Sequence, residues 1–185
     1  MRSAWIDMRI AYDGTQLRSR WVLERTSIEG DGLAIFVGPA DVPIENMVDM
    51  DDVAANAPIY SKEMLHFIAE HRERSLPLAV ARQRIMVAIA TDELKGLATG
   101  APIERRGDDI FDGDRKLSVS IATSSPCSTL IHFAINVRSV GTPVPTKGLC
   151  DYGIEPEALG LAIAERYCRE IESMEHAAGK VRPVD

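Results

Sequence analysis

Between Glu104 and Asn136 the chain gathers most of the side chains that can do chemistry. Lys116 is followed at every second position by Ser118, Ser120 and Ala122, with Leu117, Val119 and Ile121 in between. That period of two predicts a strand with the lysine and both serines on one face. A strand lysine facing a partly dry cleft is shifted toward neutrality and can accept and return a proton. A solvent-facing one merely protects a sheet edge. Asp108 and Asp109 precede it, and neighbouring strand residues point to opposite faces, so one of the two reaches the cleft, to orient Lys116 or to hold magnesium. Arg105 and Arg106 add guanidinium forks that match phosphate or carboxylate.

The three cysteines, Cys127, Cys150 and Cys168, are an odd number with no CxxC pair and no grouping with the four histidines. Neither a disulfide framework nor a structural zinc site is expected, and no metal ligands are assigned. Cys168 falls in the helical pattern LAIAERYCREIE as a small apolar residue, and Cys127 follows Pro126 in a turn. Cys150 stands between a Pro/Gly-rich segment and the turn Asp151-Tyr152-Gly153, where a thiol can face a cleft. A thiol attacks only once ionised, so a nucleophilic role requires a cation or base beside it.

The stretch ERRGDDIFDGDRKLSVSIATSSPCSTLIHFAIN is similar to the catalytic half of the lipoate- and biotin-protein ligase superfamily. Asp108-Asp109-Ile110, the turn Asp112-Gly113-Asp114 and Lys116-Leu117-Ser118-Val119-Ser120 resemble the ligase branch's Asn-Asp strand followed by Lys-Ile-Ser-Gly-Ser. Lys116, the run His132-Phe133-Ala134-Ile135-Asn136-Val137, and Cys150 resemble, in order and separation, three motifs of the octanoyl-transferase branch. The chain as a whole resembles more closely an uncharacterised family of archaeal and bacterial proteins of this superfamily, through YDGTQL, GPADV, MLHFIAEH and RKLSVSIAT.

The transferase resemblance implies an acyl- or cofactor-transferring enzyme with a thioester on Cys150 and Lys116 as acid and base. The ligase resemblance implies instead an ATP- and magnesium-dependent enzyme, with Lys116 and Arg105 or Arg106 holding an adenylate. It also selects Asp109 over Asp108. Ser118 and Ser120, on the expected Lys116 face, can hydrogen-bond a ligand, and the transferase resemblance places His132 beside the site, with Asn136 of the same run as a further ligand contact. A third reading keeps the fold as a non-catalytic binding module. The expected partners are a small acyl or cofactor-like ligand and an acyl-carrier or acceptor protein. Three departures count against a long acyl chain: no counterpart of the glycine-rich phosphate element, Val119 for a motif glycine, and Phe133 for another.

The elements that must position these residues read as one α+β domain over 1–185, a largely antiparallel sheet with helices packed on one face. Strands are expected at Met8 to Tyr12, Leu33 to Val37, Lys116 to Ala122 and Thr129 to Val137. Helices are expected after Thr15, after Ser61 through Met64, Leu65 and Ile68, from Thr91 to Leu97, and from Glu157 to about Ala177. Asp41 to Asp52 reads as a loop, and Arg82 to Ala90 fits strand or helix. The net charge of −7 opposes nucleic-acid binding, and no apolar run spans a bilayer, so cytoplasmic residence is expected. Exposed sheet edges would suit a homodimer.

Overall fold

The computed structural model describes residues 1–57, 59–139 and 144–184. A five-stranded sheet in the order β1-β2-β3-β8-β7 carries the architecture. Its strands are β1 (Arg2–Trp5), β2 (Gly32–Val42), β3 (Ile59–His71), β7 (Ser118–Ser124) and β8 (Thr129–Arg138), and only β1 and β2 run parallel. A small sheet of β4 (Ile103–Arg106), β5 (Asp109–Asp112) and β6 (Arg115–Lys116) adjoins β7. The helices are α1 (Trp21–Thr26), α2 (Met50–Ala54), α3 (Leu76–Leu97) and α4 (Pro156–Gly179). The α+β, largely antiparallel reading therefore holds.

Helices α3 and α4 cover one face of the large sheet. Ser75 caps α3 by accepting the Leu78 N–H, and Pro77 in the first turn needs no donor there. Leu65, Phe67 and Ala69 of β3 alternate onto this face with Ile131, Phe133 and Ile135 of β8, and the Phe67 and Phe133 rings stack at 5.4 Å. Burying each such ring contributes roughly 1.5–3 kcal/mol. The opposite face carries Met64, His66, Ile68, His132 and Ala134, and α1 closes part of it by packing Trp21 and Val22 on Phe36. The remainder of that face is left to the cavity described below.

Several expectations require correction. Lys116 does not share a strand with Ser118 and Ser120 but lies in β6, where it pairs with Phe111 of β5, while β7 begins at Ser118. Ser61 starts no helix, because 59–71 is the central strand β3. Met64, Leu65 and Ile68 repeat at helical spacing only because both faces of that strand are buried, so apolar residues crowd successive positions. Thr91 does not cap a helix but lies inside α3, which absorbs the ambiguous 82–90 segment, and its hydroxyl donates to the Val87 carbonyl. The helix expected after Thr15 begins at Trp21, behind Arg20 in the left-handed region at φ 66°. Asp41–Asp52 is not all loop, since it ends β2 and opens α2, whose cap is Asp49.

Met8 to Tyr12 forms a single bridge, Tyr12 with Ala40, rather than a strand. It runs beside β2 through Ile10 N–H to Val37 O (3.2 Å) and Tyr12 N–H to Pro39 O (2.8 Å). Gly38 permits that approach: a Cβ there would stand 1.7 Å from the Ile10 carbonyl oxygen.

Candidate functional site

A cavity of about 560 Å³ opens between the uncovered face of the large sheet, the small sheet and the 46–57 segment. Lys116 stands at one end. Its backbone is gripped from two sides, donating to Pro145 O (3.0 Å) and accepting from Lys147 N (3.2 Å), while the Asn136 amide reaches its carbonyl at 3.4 Å. Its ammonium lies 2.7 Å from Asp109 Oδ2. Burial pushes the Asp109 carboxyl above its ordinary range, and Lys116 opposes that shift. A carboxylate that is held ionised mainly by one neighbouring cation takes up a proton readily when that cation is diverted.

The two serines hold the site together from behind. Ser118 is buried, accepts the Ile110 N–H at 2.8 Å and donates to Asp109 Oδ1 at 3.3 Å. Ser120 donates to the Asp108 carbonyl at 2.8 Å and accepts from Gln83 Nε2 at 2.6 Å. Gln83 also donates to Asp108 Oδ2 at 3.2 Å, and Arg84 pairs with the other oxygen at 3.3 Å. The serine hydroxyls thus engage the small sheet, and through it they orient Asp109 toward Lys116. Asn136 acts similarly, taking the Ser61 hydroxyl at 3.1 Å.

At the other end the cavity meets His132 and Tyr12, whose rings stack at 3.8 Å and 12°. His66 lies behind them, its Nδ1 3.1 Å from His132 Nε2 and its Nε2 3.2 Å from the Gly38 carbonyl. Burial depresses both imidazoles, His66 to about 4 and His132 well below its ordinary value. Both are neutral at neutral pH. Tyr12 is pushed upward by burial and by Asp13, so its hydroxyl stays protonated.

Of the residues singled out in the sequence, Lys116, Asp109, Ser118, Ser120, His132 and Asn136 border this one cavity. Arg105 and Arg106 do not. They lie exposed on β4, where Arg105 donates to the Gly107 carbonyl at 2.5 Å and Arg106 pairs with Glu104 and covers the Phe111 ring. Cys150 is exposed on a short 3-10 turn, Leu149–Tyr152, and is not among the cavity's lining residues. Tyr12, His66 and Gln83 carried no assigned role in the sequence. Among the described residues no group of three His, Cys, Asp or Glu side chains could hold a metal ion, and no helix is long and apolar enough to cross a membrane.

This arrangement of sheet and helices is that of the biotin- and lipoate-protein ligases. The biotin protein ligase of Aquifex aeolicus, solved in complex with biotin and ATP, superimposes with a TM-score of 0.62 at 13% identity, over 95% of this chain and 72% of that one. Lipoate-protein ligase A bound with ATP shares the fold more distantly, at a TM-score of 0.52. The chain belongs to the family described as Domain of unknown function (DUF366), whose model matches residues 1–182. A protein of unknown function from Pyrococcus horikoshi has the same structure, with a TM-score of 0.92 and 36% identity over 99% of this chain and all of that one. An uncharacterised protein of Methanocaldococcus jannaschii is 32% identical over 191 residues, 100% of this chain and 86% of that protein.

Proposed function

We propose that this protein is a ligase-like enzyme that binds a small carboxylate or acyl compound in the cavity and transfers the acyl group to an amine, with Lys116 as the anchoring cation and Asp109 as the proton acceptor. The observation that carries this reading is the Lys116–Asp109 pair, 2.7 Å apart, at one end of a cavity large enough for such a ligand. The ligase fold supports it, since the Aquifex aeolicus relative of that fold holds biotin and ATP.

In the reaction the ammonium of Lys116 polarises the acyl carbonyl. The amine nitrogen attacks the carbonyl carbon of an acyl thioester, Asp109 takes the amine proton, and the carbon–sulfur bond breaks as that proton passes to the departing sulfur, which leaves as a thiol. An acceptor protein presenting a lysine would supply the amine. The described cavity is poor in cations, with four aspartates and one lysine among its charged lining residues. It also lacks a glycine cradle, since GDGLAIFVGPADV forms a turn and the interior strand β2. These residues do not fit a triphosphate, and no step is routed through one.

The exposed position of Cys150 outside the cavity favours Lys116 over a cysteine thioester as the chemical centre. The second reading, a binding module without turnover, is supported by the partner Lys116 already has in Asp109. Turnover of a panel of acyl thioesters against a primary amine, followed by mass spectrometry, separates the three. We expect Lys116→Ala to lower turnover about 100-fold and Cys150→Ser to change it little. Loss of turnover with an acyl adduct traceable to Cys150 moves the chemistry to the thiol, and binding without turnover establishes the module.

A further inference from the structure

Tyr12 and His132 border the cavity at 4% and 3% exposure, yet each keeps one polar atom that bonds to nothing among the described residues. The imidazole pair defines what His132 offers. The Gly38 carbonyl can only accept, so His66 Nε2 carries its hydrogen and His66 Nδ1 is bare. His66 Nδ1 therefore accepts from His132 Nε2–H, which leaves His132 Nδ1 as a lone acceptor. Burial keeps both rings neutral, so this tautomer is the one present at neutral pH. Among the described residues the Tyr12 hydroxyl has no hydrogen-bond partner either. Neither atom is sealed in the core, because the described buried side-chain atoms sealed without a partner belong to Arg82 alone. A donor and an acceptor of buried residues left open in a cavity wall await a partner, since leaving them dry and unpaired costs stability.

We propose that Tyr12 and His132 form a second subsite in this cavity, which reads an uncharged group that both donates and accepts hydrogen bonds, of the carboxamide kind, at the end of the ligand remote from Lys116. The proposal rests on the reading that Lys116 holds the carboxylate end. His132 accepts the ligand's N–H, the Tyr12 hydroxyl donates to its carbonyl, and the stack at 3.8 Å keeps both on one patch. His66 is the positioning residue that fixes the tautomer. Along β8, His132 stands four residues from Asn136, which touches the Lys116 carbonyl. The two ends of the cavity are therefore about 13 Å apart at about 3.3 Å per residue. Met64, Val119 and Ile121 line the cavity as well and supply an apolar middle, so the ligand is a chain with a carboxylate or acyl end, an apolar middle and an amide-like head.

Calorimetric titration with three probes of matched length tests this: nonanoic acid, the monoamide of nonanedioic acid, and 9-aminononanoic acid. The monoamide is expected to bind at least tenfold more tightly than nonanoic acid, because a site built to pair a polar group rejects the analogue lacking it. Tyr12→Phe, which keeps the ring and its stack, is expected to erase that preference. Equal binding of the first two probes, or a preference that survives in Tyr12→Phe, overturns the proposal, and so does tightest binding of the amine. Binding of all probes that is indifferent to Lys116→Ala overturns the carboxylate anchor instead, while a persisting amide preference would keep the subsite. No binding by the wild type overturns both. Side-chain nitrogen NMR gives a check independent of any ligand. We expect His66 and His132 each to carry hydrogen on Nε2, and hydrogen on His132 Nδ1 removes the acceptor on which the subsite depends.

Discussion

Asp109 and the two buried histidines are the side chains whose protonation this fold controls most directly. Burial raises the Asp109 carboxyl and Lys116 holds it down. A ligand carboxylate that draws the ammonium to itself removes that restraint and adds a like charge, so the Asp109 pKa climbs further on binding. Binding should thus take up a proton, and affinity should fall as pH rises past the range of the free site. Calorimetry in two buffers of different ionisation heat measures this directly: uptake of a fraction of a proton is expected in the wild type and none in Asp109→Asn. Proton release on binding would contradict the pairing. The histidines act with the opposite sign. His66 is depressed from 6.5 to about 4, so its neutral form stabilises the fold fully above pH 6.5, and that stability is lost as pH falls toward 4. The loss is about 3 kcal/mol from His66 alone. Urea unfolding at pH 7 and pH 4 should show a fall shallower by about that amount in His66→Phe than in the wild type, and equal falls would place the acid sensitivity elsewhere. Lys116 and Asp109 were legible in the sequence because they sit in one contiguous motif on two adjoining strands. His132 was legible from its own motif but Tyr12 and His66 were not, because the three are spread over more than a hundred residues and only the β2, β3 and β8 registers bring them together.

At the scale of elements, strand identity was plain where one face meets water or a cavity and obscure where both faces are covered. The alternation of β7 sets Ser118, Ser120 and Ala122 beside Ile135, Phe133 and Ile131, and Val119 and Ile121 beside Ala134 and His132, while Lys116 itself lies in β6. β3 is covered on both faces over 64–71, and its apolar residues lost the period of two that marks a half-exposed strand. The 6–12 segment shows the converse. It reads as a strand by pattern, yet makes one bridge, because it lies along the β2 edge beyond β1 and pairs through scattered hydrogen bonds. Its position depends on Gly38, which carries no positive φ and is needed for space alone. A methyl group at Gly38 would meet the Ile10 carbonyl and push the segment, with Tyr12, off the sheet. Gly38→Ala should therefore cost on the order of 3 kcal/mol in unfolding free energy. It should also abolish the amide preference of the Tyr12 subsite, since the same shift moves the hydroxyl. A variant that keeps wild-type stability would show that the segment can yield without loss.

The whole molecule is a sheet with unequal faces: α3 and α4 seal one, while α1 and the 46–57 segment only partly close the other. A ligand in the remaining space touches the large sheet, the small sheet and the 46–57 segment at once, so it should stabilise all three against unfolding. The overall charge of −7 makes an anionic ligand depend on Lys116 more heavily than it would in a basic protein. At a concentration one hundred times its Kd, a ligand that binds only the folded state adds about 2.7 kcal/mol. For a chain of this size that raises Tm by roughly 5–10 °C. A thermal melt with the nonanedioic monoamide should show that rise in the wild type. In Lys116→Ala the same concentration should leave Tm almost where it was, because the lost cation weakens binding and leaves Asp109 without its partner. An equal rise in both proteins would mean that the ligand sits elsewhere on the fold, and the assignment of this cavity would fail with it.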